Sequence, residues 1–286
     1  MSPLTAAPPL PALVVGCGYL GGRVAAAWRD TGRTVYALTR GRADELRAAG
    51  LVPVTGDVTD PASLAGLRDL PPVGTLLYAV GLDRRAGRTM REVYVEGLAN
   101  VARALPPVHR WVHVSSTGVY GQADGSPVDE ASPTEPVEES GRVVLEAERT
   151  LHALRPGAIV LRLAGIYGPG RWLRKAALLA GEPYTADAEK WLNLIHVADA
   201  VRAVLLAETV GPLGAVLNVT DDEPARRRDF YTLAAQLLKA PPATFAPPAA
   251  KAEEPNRRVS NRLARKELGF APHYPSYREG LPASVE

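Results

Sequence analysis

The sequence predicts an α/β chain built on a doubly wound parallel sheet with a smaller C-terminal lobe. Two observations predict it. Short apolar runs alternate with stretches of helical periodicity through the first 165 residues, and the first run stops at a glycine cluster that opens into a helix. That run is 12–15; after Gly16-Cys17-Gly18, Leu20, Val24 and Trp28 share one helical face until Gly32. Residues 34–38 read as a second strand by β-branched and aromatic content, and a helix over 42–49 closes at Gly50. Residues 52–54 with Gly56-Asp57 form a third strand and its exit turn, and Asp60-Pro61 supplies an N-cap and a first-turn proline. Strands follow at 75–80, 111–115 and 158–163, separated by a helix through Tyr94, Leu98, Val101 and Leu105 and by another over 137–153. A polar, proline-rich loop over 121–136 leads into the second of these. This rhythm implies parallel pairing through right-handed crossovers.

Beyond residue 165 the pattern is less regular. A helix near 172–179, a strand at 191–195, a helix over 199–208, a strand at 215–219 and a helix over 229–238 precede an Ala/Pro-rich loop at 241–255 and a last helix over 261–268. The expected division is a dinucleotide-type domain at 12–165 and a lobe at 166–286, with part of 190–222 returning to the sheet.

With 286 residues, 46% of them hydrophobic, and a net charge of +2, the chain is globular and lacks the basic excess that a nucleic-acid groove needs. Cys17, the single cysteine, cannot form an internal disulfide or a thiolate metal site. There is no 18-residue apolar run, and the opening MSPLTAAPPLP has no basic flank, so the expectation is a cytoplasmic protein with a loose proline-rich leader and no membrane partner. All five lysines follow residue 174.

Gly16-x-Gly18-x-x-Gly21, between a strand and a helix, has the context of a dinucleotide pyrophosphate loop: a tight turn, close backbone approach and close helix packing, with the helix N-terminus facing the anion. Tyr19 and Leu20 belong to the same loop. The second strand ends in Thr39-Arg40-Gly41-Arg42, with no carboxylate for a ribose 2′-hydroxyl. An arginine pairs with a 2′-phosphate, so the cofactor expected is NADP, with NAD left open. A solvated Arg40 is the alternative.

The glycine loop, Asp57, Ser115-Ser116-Thr117-Gly118-Val119-Tyr120-Gly121, Arg162-Leu-Ala-Gly-Ile-Tyr167-Gly-Pro-Gly170, Ile195-His-Val-Ala-Asp199 and Glu267-Leu-Gly-Phe270 occur in order over nearly the whole chain. Together they resemble the extended short-chain dehydrogenase/reductases, the NAD(P)-dependent epimerase/dehydratase family. The resemblance implies a Rossmann domain and a substrate lobe. It places Asp57 and Val58 near the adenine, the Ala79-Val80-Gly81 turn near its ribose, and Leu163, Ala164 and Gly165 near the nicotinamide. It gives Ser116 the hydroxyl that bonds the reacting oxygen and puts Thr117 and Gly118 where sugar dehydratases carry an acidic pair. Tyr167 and Arg258 are the expected substrate contacts, with Arg257 beside Arg258 on the phosphates of a nucleotide sugar, and a homodimer through the helices near 94–105 and 137–153 is usual for the family.

The family's Tyr-x-x-x-Lys is missing. Glu148 matches the glutamate one turn further on, which puts Ser140 and Val144 in the places of the pair, and no lysine precedes residue 175 to repair the register. A serine without a cationic neighbour is too weak an acid for the tyrosine's proton work. Tyr120 stands near Ser116 as a substitute donor or as an aromatic wall. His113 reads as a packed, satisfied histidine, His196 as structural, Asp199 as a helix cap, and Arg142 as reaching pocket or solvent. The expected function is an NADP-dependent oxidoreductase or epimerase-like protein acting on a small hydroxylated or carbonyl substrate, sugar derivatives included. The alternative is a non-catalytic NADP-binding sensor or interaction protein.

Overall fold

The computed structural model describes residues 9–246 and 254–285; the leader through residue 8 and the 247–253 part of the expected loop lie outside them. The chain opens with β1 (Ala12–Val15), α1 (Gly21–Asp30), β2 (Val35–Thr39), α2 (Ala43–Ala48) and β3 (Val52–Thr55). A 3₁₀ helix, Pro61–Leu67, begins at Asp60, whose side chain accepts from the Ala62 N–H as expected. Then come β4 (Thr75–Tyr78), a π-helical turn over Glu92–Glu96, α3 (Gly97–Ala104), β5 (Arg110–Ser116), β6 (Pro127–Val128), α4 (Glu139–Leu154) and β7 (Ile159–Leu163). The rest is β8 (Gly165–Tyr167), α5 (Lys175–Leu179), β9 (Trp191–Leu192), β10 (Leu194–His196), α6 (Val197–Val210), β11 (Val216–Val219), β12 (Ala225–Arg226), α7 (Arg227–Leu237), β13 (Arg258–Val259), α8 (Arg262–Leu268) and α9 (Tyr277–Gly280).

One seven-stranded sheet has the order β11-β7-β5-β4-β1-β2-β3. Its pairs β1/β2, β1/β4, β2/β3 and β4/β5 are parallel. All four residues of β1 are fully buried, the signature of a strand covered on both faces, whereas Val52 and Thr55 of the edge strand β3 are exposed.

The chain divides into two compact units. One takes the chain to Val114 with Glu146–Val160 and Ala207–Ala215; the other takes Ser115–Leu145, Leu161–Leu206 and the chain from Val216 onward. In the first, Glu208 gathers three donors: the Trp28 Nε1 at 2.5 Å, the Thr75 hydroxyl at 2.6 Å and the Arg33 guanidinium. In the second, Tyr167, Phe230, Tyr231 and Tyr277 build an aromatic core with Leu194 and Leu281.

Several expectations are revised. The strand at 191–195 is two strands, because Asn193 turns its amide away to bond the Arg257 carbonyl and the Val259 N–H. The helix near 172–179 is only α5, entered through Arg174 at φ 56°. Asp199 does not cap its helix, since α6 starts at Val197 and His196 Nδ1 accepts from the Ala198 N–H. The Asp199 carboxylate instead accepts from the His273 and Tyr274 N–H groups at 2.6 and 3.0 Å.

His113 is packed against Tyr78, 5.7 Å between ring centroids, but is not satisfied, since its Nδ1 has no partner. Burial pushes its pKa down to about 3, with the neighbouring His152 adding to the effect. Between pH 6.5 and that value the unfolded chain binds a proton that the folded chain refuses, so stability falls as the pH drops through this window. His113→Phe is expected to flatten that decline, by at most about 1.4 kcal/mol per pH unit. Urea midpoints at pH 7 and pH 5 with the same difference in variant and parent would contradict it.

Candidate functional site

In the first unit the C-terminal ends of β1, β2, β3 and β4 surround a cavity of about 440 Å³. Its floor is backbone: Gly16, Cys17 and Gly18 from one side, Ala79, Val80 and Gly81 from the other. Gly16 has φ +100°, and a Cβ there would lie 2.4 Å from the Ala79 carbonyl. A Cβ on Gly21 would lie 2.1 Å from the Gly16 oxygen, so this glycine lets α1 pack on the loop and is not itself part of the lining. Gly18 and Gly81 differ: a Cβ at either would meet no protein atom within 4 Å. Two glycines therefore close the loop on itself, while the other two leave the backbone open toward the cavity. α1 begins with no side-chain cap and no acidic residue in its first turn, so no carboxylate of that turn neutralises the positive end that faces an anion. These features fit the pyrophosphate of a dinucleotide.

The polar wall comes from three loops. Arg40 and Arg42 follow β2, Asp57 and Thr59 follow β3, and Asp83 and Arg88 follow β4. Arg42 donates to the Cys17 carbonyl at 2.7 Å, tying the loop after β2 to the glycine loop. Arg40 pairs with Asp83 at 2.9 Å, both about half exposed. Asp83 also accepts from the Arg85 N–H, and that bond, followed by Arg40, holds its carboxyl below the usual range. Burial works to raise the Asp57 pKa, but the Thr59 N–H and hydroxyl, each at 2.8 Å, and the Arg40 and Arg88 charges outweigh it, so Asp57 stays ionised. Burial raises the Cys17 pKa against the pull of Arg42, which keeps a thiol rather than a thiolate in the loop. The Tyr94 hydroxyl accepts from the Leu82 N–H at 3.0 Å, so the π-helical turn fixes the loop that carries Asp83.

The structure thus brings Gly16, Gly18, Thr39, Arg40, Asp57, Val58, Ala79, Val80 and Gly81 together around one cavity. Tyr19 and Leu20 do not line it; the Tyr19 ring lies under Arg23, and Leu20 is buried. Arg42, Asp83 and Arg88 are lining residues that the sequence reading passed over. The doublet Arg40-x-Arg42 is the one local signal, since Asp83 meets Arg40, and Arg88 joins the same lining, only through tertiary folding.

The second unit holds the remaining candidates. Ser116 ends β5 and its Oγ accepts from the Gly118 N–H at 3.0 Å, which leaves its own proton without an acceptor among the described residues. Tyr120 is fully buried; its hydroxyl donates to Asn218 Oδ1 and accepts from Arg162 Nη1, both at 2.9 Å. Burial raises its pKa more than Arg162 lowers it, which makes Tyr120 a structural anchor and no accessible proton donor. Tyr167 is likewise fully buried, edge-on to His196 and Phe230, and has no surface to offer a substrate.

Arg258 is exposed, donates to the Gly125 carbonyl at 3.0 Å and faces Trp191. Leu163 and Ala164 are buried at the end of β7, where Ala164 pairs with Val219 and Gly165 with the Asn193 carbonyl. The Ser140 hydroxyl donates to Glu138, and Arg142 is exposed to solvent, outside the cavity lining, with its guanidinium on the Pro136 and Val137 carbonyls. Arg257 donates to the Thr117 carbonyl at 2.7 Å, and burial pushes its pKa down to about 10.

Among the described residues no group of three or more His, Cys, Asp or Glu could hold a metal ion, and no helix is long and apolar enough to cross a membrane. A model of the NAD dependent epimerase/dehydratase family matches residues 12–220. Protein YeeZ of Escherichia coli (strain K12) is 36% identical over 170 residues, covering 59% of this chain and 60% of YeeZ, so the match spans less than two thirds of that relative. The 4-hydroxy-2-methyl-3-oxo-4-farnesyl-3,4-dihydroquinoline-1-oxide ketoreductase of Stigmatella aurantiaca is 28% identical over 239 residues, 76% of this chain and 70% of that protein. Among solved structures, MoeE5 in complex with UDP-glucose and NAD superimposes with a TM-score of 0.79 and 26% identity, over 96% of this chain and 97% of that one.

Proposed function

Because the chain belongs to the NAD dependent epimerase/dehydratase family, we propose that it is an NADP-preferring oxidoreductase that reduces a small carbonyl compound or oxidises the corresponding alcohol. The observation that carries the reading is the cavity whose glycines leave backbone open to a pyrophosphate and whose β2 loop presents Arg40 in place of a carboxylate. A bound nicotinamide cofactor supplies the hydride chemistry. The residues of the chain do the rest: the glycine loop and the α1 N-terminus hold the phosphates, Asp57 and Val58 flank the adenine, and Arg40 takes the 2′-phosphate. Ser116, with its proton unspent, donates a hydrogen bond to the reacting oxygen while solvent supplies the net proton. The ketoreductase relative favours carbonyl reduction over dehydration.

One observation favours a second reading, a cofactor-binding protein without turnover. The first turn of α4 offers Ser140 already bonded to Glu138, and no lysine precedes residue 175.

Cofactor choice is testable by titration. A 2′-phosphate would draw Arg40 away from Asp83, trading one charge-assisted bond for another with a more highly charged partner. NADPH is expected to bind more tightly than NADH, and Arg40→Ala to shrink the difference by about 10- to 100-fold. Equal calorimetric affinities for the two cofactors in the parent protein would sink the NADP assignment.

A further inference from the structure

We infer that Asp83 sets cofactor selectivity as a built-in rival of the 2′-phosphate: it holds Arg40, and a cofactor must displace it to use that arginine. The inference rests on the reading of Arg40 as the 2′-phosphate ligand. The sheet order β4-β1-β2 puts the loops that carry the two residues on either side of β1. Loops two strands apart leave a sheet about 10 Å from each other. The ion pair, 2.9 Å from Arg40 Nη2 to Asp83 Oδ2, therefore links two sides of the cavity. Of the three arginines that line it, Arg40 is the one paired with another loop. Arg42 pairs with Glu45 at 3.7 Å and Arg88 with Glu92 at 3.5 Å, each within its own segment. Among the described residues Arg40 has no ion pair but the one with Asp83.

Both backbones are fixed without this pair. Thr39 Oγ1 accepts from the Arg42 N–H at 3.0 Å, which turns the chain around Arg40. On the other loop Asp83 Oδ1 accepts from the Arg85 N–H at 3.0 Å and starts a 3₁₀ turn over Arg84–Ala86, while the Leu82 N–H is held by Tyr94. The carboxylate thus divides its work, Oδ1 to the turn and Oδ2 to Arg40. When a 2′-phosphate takes Arg40, the long arginine side chain swings and the short aspartate, held by its turn, stays. A dianion then stands beside a carboxylate that has lost its counter-ion, and like charges so placed repel. A 2′-hydroxyl brings no charge and leaves the ion pair in place. The cost of Asp83 therefore falls on NADPH and spares NADH, which narrows the preference that Arg40 alone would give.

D83N removes the charge and keeps an acceptor for the Arg85 N–H, so the turn survives. The full chain, D83N, R40A and R40A/D83N are titrated calorimetrically with NADPH and with NADH, with cooperative melting as the control. D83N is expected to tighten NADPH about threefold to tenfold and to leave NADH within about twofold of the parent. In the R40A background the same substitution is expected to gain less than about half of that factor, because the contested arginine is gone. If D83N does not melt cooperatively, D83S decides, since its hydroxyl can accept the same N–H. Unchanged NADPH affinity, equal tightening of both cofactors, or an equal gain with and without Arg40 would each overturn the assignment. So would a loss of about tenfold in NADH affinity, which would make Asp83 an acceptor for the ribose. An NADPH preference in the parent that D83N leaves unaltered would keep the NADP reading and remove the rival; equal affinities in the parent with a preference emerging in D83N would do the reverse. Binding of neither cofactor to parent or variant would remove both.

Discussion

Gly18→Ala is expected to leave the protein folded and to cost it cofactor affinity, whereas Gly16→Ala is expected to cost it stability. The two positions are two residues apart in one loop, and their surroundings are opposite. At Gly16 a Cβ would sit 2.4 to 2.5 Å from Ala79 and Val80 backbone, on a residue at φ +100°. Neither backbone can give way cheaply, because β1 and β4 are paired through all four residues of β1. Strain and overpacking together predict a loss of about 2 kcal/mol or more. At Gly18 a Cβ meets nothing of the protein within 4 Å, so melting should be nearly unchanged. The open space is the cavity itself, and a methyl group there stands where a pyrophosphate must approach the backbone. Affinity for NADPH or NADH should fall at least about tenfold, equivalent to about 1.4 kcal/mol. Thermal melting and calorimetry on both variants separate the effects; a Gly18→Ala protein that binds cofactor like the parent would show that the loop is not the phosphate site.

The glycines were legible in the sequence because their constraint is local: strand, turn and helix must follow within ten residues, and only glycine permits that geometry. The same holds for Asp60-Pro61, which starts its helix as the residue types dictate. Other features needed distance. Asp83 meets Arg40 across 43 residues, and nothing in either segment announces the other. Asn193 splits a strand that periodicity joins, because its amide serves the Arg257 and Val259 backbone more than sixty residues away. Asp199 has the residue type of a cap, but its helix begins two residues earlier and a C-terminal loop claims the carboxylate. Tyr120 and Tyr167 show the limit most clearly. Both sit in motifs associated with a site, yet sequence spacing does not say toward which side a side chain leaves a loop, and both are fully buried.

That burial sets apart two hydroxyls only four residues from each other. Tyr120→Phe is expected to destabilise the second unit, and Ser116→Ala to slow turnover without destabilising it. The Tyr120 oxygen accepts from the buried Arg162 and donates to Asn218 Oδ1, in a region where Asn218 Nδ2 already lacks a partner. Removing that oxygen takes one acceptor from a buried cation and leaves the Asn218 carbonyl without its donor. The cost should be about 1–3 kcal/mol, read as an earlier urea midpoint with an unchanged m-value. Glu130, whose carboxylate accepts from the Asn218 N–H at 2.6 Å, is raised in pKa by burial and would feel the same loosening. Ser116 lies on the opposite side of this balance. Its Oγ accepts one bond at the start of a short 3₁₀ turn, and the loss of that bond is a cap-sized effect of about 1 kcal/mol or less. If its proton serves the reacting oxygen, turnover in Ser116→Ala should fall about 100-fold with cofactor affinity retained. Steady-state rates followed by NADPH absorbance across a panel of aldehydes, ketones and keto acids, set beside the two urea curves, test both halves at once. Full turnover in Ser116→Ala would take this hydroxyl out of the chemistry, and a Tyr120→Phe protein as stable as its parent but inactive would return the proton to the tyrosine.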